Sequence, residues 1–170
     1  MAKYKFVGYG SLLSHRSFHP SKKDAKILGA VIVKGYKRIF DISESGKNSD
    51  VLNVEKSSGS EFNGILFEVD EKELGKLSDR EDWYNFEPVK VYDFKTKKPL
   101  GKALVCVDHY LFIDKRKELP AKDYFILCRE AAYHMSGEFG EFWDETTFLS
   151  NGEKVAEWIK NHKVYDTINK

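Results

Sequence analysis

Short segments rich in β-branched and aromatic residues follow one another through the first two-thirds of the chain, with few helical patterns between them. Seven segments have the length and flanking turn residues of strands: 4–9, 30–33, 38–42, 51–55, 64–69, 88–94 and 103–107. A doubly wound parallel sheet needs a helix between nearly every pair of strands, so this spacing excludes one. The pattern predicts an α+β fold, a small mixed, mainly antiparallel β-barrel of about six or seven strands with flanking helices.

Three segments have the pattern of helices. Residues 70–80 begin with Asp70 as the predicted N-cap and Glu73 three positions later, as in a capping box. Ser150 and Glu153 repeat this pattern before a last helix. Another helix has Pro120 in its first turn. Its predicted apolar face consists of Tyr124, Leu127, Cys128, Ala131 and Met135. The last helix is expected to bury Val155, Trp158 and Ile159. Residues 43–50 are predicted as a loop and 57–60 as a turn.

Composition limits the possible function classes. With 170 residues, 41% of them hydrophobic, the chain is expected to form one domain over 1–170. A net charge of +1 gives no basic excess for nucleic acid, and no apolar run approaches the roughly twenty residues of a membrane span. The first residues lack the apolar stretch of a signal peptide. Cys106 and Cys128 lie in apolar runs, which predicts buried thiols in a reducing, cytoplasmic setting.

Residues 8–12, with the sequence GYGSL, form the first candidate site, because a strand runs directly into two glycines. Glycine permits positive φ and lets backbone N–H groups crowd around a carboxylate or oxyanion. A plain tight turn is the alternative. The third glycine of a dinucleotide motif is absent, and Tyr9 and Leu13 stand where a nucleophile elbow has glycines.

Residues 77–84 form the second candidate, a run of four charged residues followed by Trp83 and Tyr84. A solvated helix end is the simpler explanation. A carboxyl group shielded by these aromatic rings would have a raised pKa, suited to proton transfer. The five histidines show no helical pairing and no neighbouring cysteine, so the sequence predicts no metal site.

Together these segments resemble the gamma-glutamylcyclotransferase-like superfamily over nearly the whole chain. Residues 8–12 are similar to its Y-G-S-x-L loop, and residues 51–54 and 63–67 to its central strands. Leu77, Asp79 and Glu81 are similar to the helix end that holds the family's catalytic glutamate. The helix that begins near Pro120 resembles its P-x-x-Y…G-A…G helix through Tyr124, Cys128, Ala131, Ala132 and Gly137.

The resemblance implies cleavage of a γ-glutamyl amide to 5-oxoproline and a free amine, without a cofactor. It implies that Glu81 is the general base and acid. The implied substrate-binding residues are Tyr9, Gly10, Ser11, Leu12 and Tyr124.

Two other functions stay open at this point. The family often has other residues where Asp82, Phe86 and Glu87 stand, which favours a non-catalytic module that binds a small carboxylate metabolite. A protein-contact surface built on Trp143 and Trp158 is the third hypothesis. The leaving group and the oligomeric state are not determined by the sequence.

Overall fold

Six strands and four helices make up the part of the chain that a computed structural model describes, residues 2–13, 25–43, 50–80, 85–107 and 119–169. The strands are β1 (Lys3–Gly8), β2 (Lys26–Ser43), β3 (Asp50–Asp70), β4 (Asn85–Asp93), β5 (Pro99–Val107) and β6 (Thr147–Leu149). The helices are α1 (Glu71–Arg80), α2 (Lys122–Met135), α3 (Gly137–Thr146) and α4 (Val155–Trp158). Short 3-10 turns lie at Ser11–Leu13, Ile159–Asn161 and Lys163–Tyr165. The predicted α+β class is confirmed.

All six strands belong to one sheet in the order β3-β1-β5-β4-β2-β6, and β3 pairs with β2 as well. Within the described residues, β1 runs parallel to β5 and β2 runs parallel to β6, whereas the other four pairings are antiparallel. The expectation of a mainly antiparallel barrel is therefore corrected to a mixed sheet. Alternation along a segment predicts a strand, but it does not record the direction of the strand that will lie beside it.

The two longest strands each combine two predicted ones. β2 contains the predicted strands 30–33 and 38–42, and β3 contains 51–55 and 64–69. The predicted turn at 57–60 is wrong, because these residues continue β3 as a bulge. Lys34 pairs with Glu61 and Tyr36 pairs with Lys56, so four residues of β3 lie opposite one residue of β2. Serine and glycine favour a turn locally, but an extended strand pair tolerates the extra residues as a bulge.

The cap of α1 is as predicted, and the cap of the last helix is not. Asp70 Oδ1 accepts a hydrogen bond from the Glu73 N–H at 2.8 Å. By contrast, α4 has Lys154 at its N-cap, without a side-chain cap. Ser150 and Glu153 therefore do not cap it. Three residues of this region are buried as predicted: Val155, Trp158 and Ile159.

The buried face of α2 differs from the predicted one. The helix begins at Lys122, two residues after Pro120, and it buries Phe125, Cys128 and Ala132. Met135, predicted to be inside, is 41% exposed. The helix has two overlapping apolar faces. The face that includes Phe125 is buried because it packs against α3. The Phe125 ring contacts the Trp143 ring there, with 6.0 Å between centroids.

The core contains residues that the sequence left between two interpretations. Trp143 and Trp158 are 0% and 3% exposed, so they cannot form a protein-contact surface. Cys106 and Cys128 are both buried thiols, as predicted.

None of the helices described has the length and apolar character that crossing a membrane requires.

Candidate functional site

A pocket opens where β1 ends. Its wall comes from five parts of the fold: β1, the turn that follows it, the strands β3 and β5, and helix α2. The lining residues are Phe6, Val7, Tyr9, Gly10, Ser11, Leu12, Leu52, Cys106 and Tyr124. The five residues predicted to bind substrate therefore lie around one cavity, although Tyr124 is far from the others in sequence.

The turn after β1 uses its glycines for close approach and not for positive φ. Neither Gly8 nor Gly10 has a positive φ, contrary to the sequence argument. A Cβ atom on Gly10 would lie 2.9 Å from the Tyr124 hydroxyl and 3.4 Å from Leu52 Cδ1. The Gly10 carbonyl accepts a hydrogen bond from the Leu13 N–H at 3.0 Å, which closes the turn. Glycine at this position therefore allows the turn and the Tyr124 hydroxyl of the helix to approach closely.

Gly64 holds the end of β1 against β3. A Cβ atom at this position would lie 2.6 Å from the Gly8 carbonyl oxygen and 2.6 Å from Val7 Cγ1. Any side chain would therefore push β3 away from the strand end that leads into the turn. The glycine of the segment 63–67 is explained by this backbone contact.

Two tyrosines give the pocket its aromatic wall. The Tyr9 hydroxyl donates a hydrogen bond to the Cys106 carbonyl at 2.8 Å. The Tyr124 ring packs edge-on against Phe40, with 6.3 Å between centroids, which leaves its hydroxyl beside Gly10. The Tyr124 side chain also hydrogen-bonds to Cys128. Burial raises the pKa of the Cys128 thiol to about 12, although the Tyr124 bond opposes the shift, so this thiol is neutral at physiological pH.

Arg38 lies behind the turn and was not predicted from the sequence. Its guanidinium, 0% exposed, donates to the Asn63 carbonyl at 2.6 Å, to Asn63 Oδ1 at 2.8 Å and to the Tyr9 carbonyl at 3.4 Å. Burial lowers the pKa of this guanidinium to about 9, which leaves it charged at neutral pH. One signal could have found it: Arg38 shares strand parity with the core residue Phe40, which predicts an inward side chain.

Glu81 lies outside the described residues, and so do Asp82, Trp83 and Tyr84.

Two residues shortly after this segment, Phe86 and Glu87, are described. Phe86 on β4 packs edge-on against Phe6, a pocket residue, with 5.7 Å between centroids. Glu87 accepts a hydrogen bond from the Tyr36 hydroxyl at 2.9 Å, and burial together with this carboxylate raises the pKa of Tyr36 to about 12.

Histidine and acidic residues do not gather into a metal site in the described part of the chain. His134 lies near the end of α2 and His162 stacks on Trp158, with 4.1 Å between ring centroids. The other three histidines are outside the described residues.

No protein-family model matches this chain, and a search of curated proteins finds no significant match. Among solved structures, the chain is similar to an uncharacterized human protein, loc79017 (TM-score 0.72, 17% identity, 98% of this chain and 100% of that chain covered). It is similar to a gamma-glutamyl cyclotransferase (TM-score 0.72, 16% identity, 95% and 98% covered). It also resembles a gamma-glutamyl cyclotransferase specific to glutathione from yeast (TM-score 0.57, 10% identity, 98% and 98% covered). At these identities the likeness establishes a shared fold and no more.

Proposed function

We propose, because the chain has the gamma-glutamylcyclotransferase-like fold, that it is an enzyme that converts a γ-glutamyl amide into 5-oxoproline and a free amine or amino acid. One observation carries the proposal: the turn 9–12 and the Tyr124 hydroxyl meet in one pocket at the end of β1. The two buried thiols agree with a reducing compartment such as the cytoplasm.

The reaction is a ring closure within the substrate. The α-amino nitrogen forms a bond to the γ-carbonyl carbon, and the bond from that carbon to the leaving nitrogen then breaks. Because both reacting groups belong to one molecule, the protein mainly has to hold the chain folded for five-membered ring closure. The apolar wall of Phe6, Leu12 and Leu52 suits the methylene groups of the substrate.

Backbone N–H groups at Gly10, Ser11 and Leu12 are proposed to bind the substrate α-carboxylate or the oxyanion that forms on the γ-carbonyl. A preorganised donor of this kind contributes about 3 kcal/mol in comparable sites. The Tyr124 hydroxyl is placed beside Gly10 and can donate to the same oxygen.

Glu81 is proposed to move the proton. Its carboxylate accepts a proton from the substrate ammonium group, which creates the nucleophilic amine. The same carboxyl group then donates that proton to the departing nitrogen, so the enzyme returns to its starting state. The attacking nitrogen loses a second proton as it becomes the lactam N–H, and this proton leaves with the released amine as its ammonium form. Glu81 follows α1 directly in sequence. Leu77 of that helix is 2% exposed, so it packs the helix against the core.

The proposal is tested by incubating the protein with γ-glutamyl amino acids, γ-glutamylamines and glutathione, and by measuring 5-oxoproline. Release of 5-oxoproline from at least one class supports the function and identifies the leaving group. Absence of turnover across the whole panel contradicts it. Tight binding of 5-oxoproline without any turnover would instead favour the non-catalytic carboxylate-binding module.

The variant Gly10→Ala is expected to raise the KM for the γ-glutamyl substrate by about fivefold to tenfold, because the added methyl group displaces the Tyr124 hydroxyl and costs one hydrogen bond. Steady-state kinetics of 5-oxoproline release measure this effect. Tyr124→Phe removes the clashing oxygen, so adding Gly10→Ala to it should change KM little further. Equal effects of Gly10→Ala in the presence and absence of the hydroxyl would contradict this explanation.

A further inference from the structure

Arg38 is a buried cation whose six hydrogen bonds to described residues all go to uncharged oxygens. The acceptors are the carbonyls of Tyr9, Asn63 and Trp143 and the side chains of Asn63, Thr146 and Thr147. Burying a charge is costly unless a counter-charge accompanies it. A second arginine that is buried in the described part of the chain, Arg129, has such counter-charges, because it binds Asp144 and Asp166 directly.

Asp144 and Cys128 interact electrostatically with Arg38, but neither of them forms a hydrogen bond with its guanidinium that would neutralise the charge. Asp144 attracts Arg38, but both Asp144 oxygens accept hydrogen bonds from Arg129. Cys128 also interacts with Arg38, but its thiol is protonated at physiological pH. Arg38 also donates a hydrogen bond to the carbonyl of Tyr9 at 3.4 Å, and Tyr9 lines the pocket. The pocket therefore lies within the field of a positive charge.

The hydrogen bond from Arg38 to Tyr9 also orients the turn. The carbonyl and the N–H of a trans peptide point in opposite directions. Since the Tyr9 carbonyl faces the guanidinium, the N–H of Gly10 faces away from it. Gly10 lines the pocket and Arg38 does not, so the peptide that Arg38 contacts forms part of the pocket wall.

We infer that Arg38 is a positioning residue for an anion site: it holds the Tyr9–Gly10 peptide in place and supplies the positive charge that favours a carboxylate in the pocket. This inference rests on the proposed function, because the anion in question is the α-carboxylate of a γ-glutamyl substrate or of 5-oxoproline. The residue acts through the turn and does not touch the ligand.

The experiment compares two ligands that differ only at the carboxyl group, 5-oxoproline, whose carboxylate is charged, and its neutral amide, 5-oxoprolinamide. Calorimetry measures the Kd of each for the wild-type chain, for Arg38→Met and for the control Lys37→Met. Lys37 is the neighbouring cation on β2, but it lies at the surface in an ion pair with Glu55. The wild-type chain and Lys37→Met should prefer the acid over the amide by about tenfold. Arg38→Met should bind both ligands with similar affinity, because the charge that favours the acid is lost. General damage to the pocket would instead weaken both ligands equally and leave the preference for the acid.

Arg38→Lys keeps the inference testable where Arg38→Met does not fold. A single ammonium group cannot reach the Tyr9 and Asn63 carbonyls in the same fork, so both ligands should bind more weakly while the preference for the acid persists. A wild-type chain without preference for the acid, or an Arg38→Met variant that keeps it, overturns the inference. Because the readout is binding, failure of turnover with a charge-dependent preference intact contradicts the proposed enzyme and leaves the role of Arg38 standing.

Discussion

Replacing Glu81 with Gln is expected to lower kcat for a γ-glutamyl amide by about 10²–10⁴-fold, the range that a positioned general acid and base contributes. The amide keeps the size of the carboxyl group but cannot accept the proton of the substrate ammonium group. Release of 5-oxoproline under saturating substrate measures the loss. The Kd for 5-oxoproline should change little, because the proposed anion site is formed by the turn 9–12 and not by Glu81.

Glu71→Gln is the matched control for this experiment. Glu71 is an exposed residue in the first turn of α1, the same helix that precedes Glu81, and its substitution removes the same charge. The control should retain wild-type kcat. If Glu81→Gln turned over substrate as fast as Glu71→Gln does, another group would have to move the proton and the proposed mechanism would be wrong.

Replacing Arg129 with Met is expected to reduce the free energy of unfolding by about 3–5 kcal/mol, because two buried carboxylates would lose their counter-charge. Arg129 binds Asp144 through two hydrogen bonds of 2.8 and 2.9 Å, and it binds Asp166 at 2.9 Å. These contacts join α2 to α3 and to the segment that follows the last 3-10 turn. The midpoint and slope of urea unfolding measure the loss.

An exposed ion pair serves as the control for Arg129. Lys160 and Glu157 are more than half exposed and lie 3.0 Å apart, so Lys160→Met should cost less than about 1 kcal/mol. Equal losses for Arg129→Met and Lys160→Met would show that the buried network adds no stability beyond that of a surface pair.

The same network predicts how stability depends on pH. Burial alone would raise the pKa of Asp166, but hydrogen bonds from Asn169 and Arg129 outweigh it and lower this pKa to about 2. An unfolded aspartate titrates near 3.9, so the ionised form stabilises the fold above about pH 4, and this stability is lost as the pH falls toward 2. The contribution is about 2–3 kcal/mol. Urea unfolding of Asp166→Asn should show a smaller loss between pH 4 and 2 than the wild type, and an identical pH profile would contradict the assignment.

The candidate site was partly accessible from the sequence because its motif is local. The residues 8–12 are consecutive, and a strand that runs into two glycines is visible without a structure. Tyr124 was attached to the same site only through the family resemblance, since nothing in its own helix points to the turn. Its contact with Gly10 depends on how α2 packs against the end of β1.

The contribution of Arg38 was hidden for a different reason. A charged residue at the start of a predicted strand is most often exposed, and its burial here depends on acceptors from β3, α3 and β6. Those acceptors are distant in sequence and become neighbours only when β2 pairs with β3 and β6. Asn63 was missed in the same way, because its side chain bridges Arg38 and the Phe139 carbonyl.

The sequence by itself determined the α+β class, the positions of most strands, the Asp70 cap and the glycine turn, because each depends on residues within a few positions of one another. The tertiary structure decided the two parallel pairings, the continuity of β2 and β3, the buried face of α2 and the surroundings of Arg38. These features depend on which surfaces are packed together. The residues near a side chain in sequence can indicate whether it will be buried. Which residues it then contacts depends on how distant segments of the chain pack together.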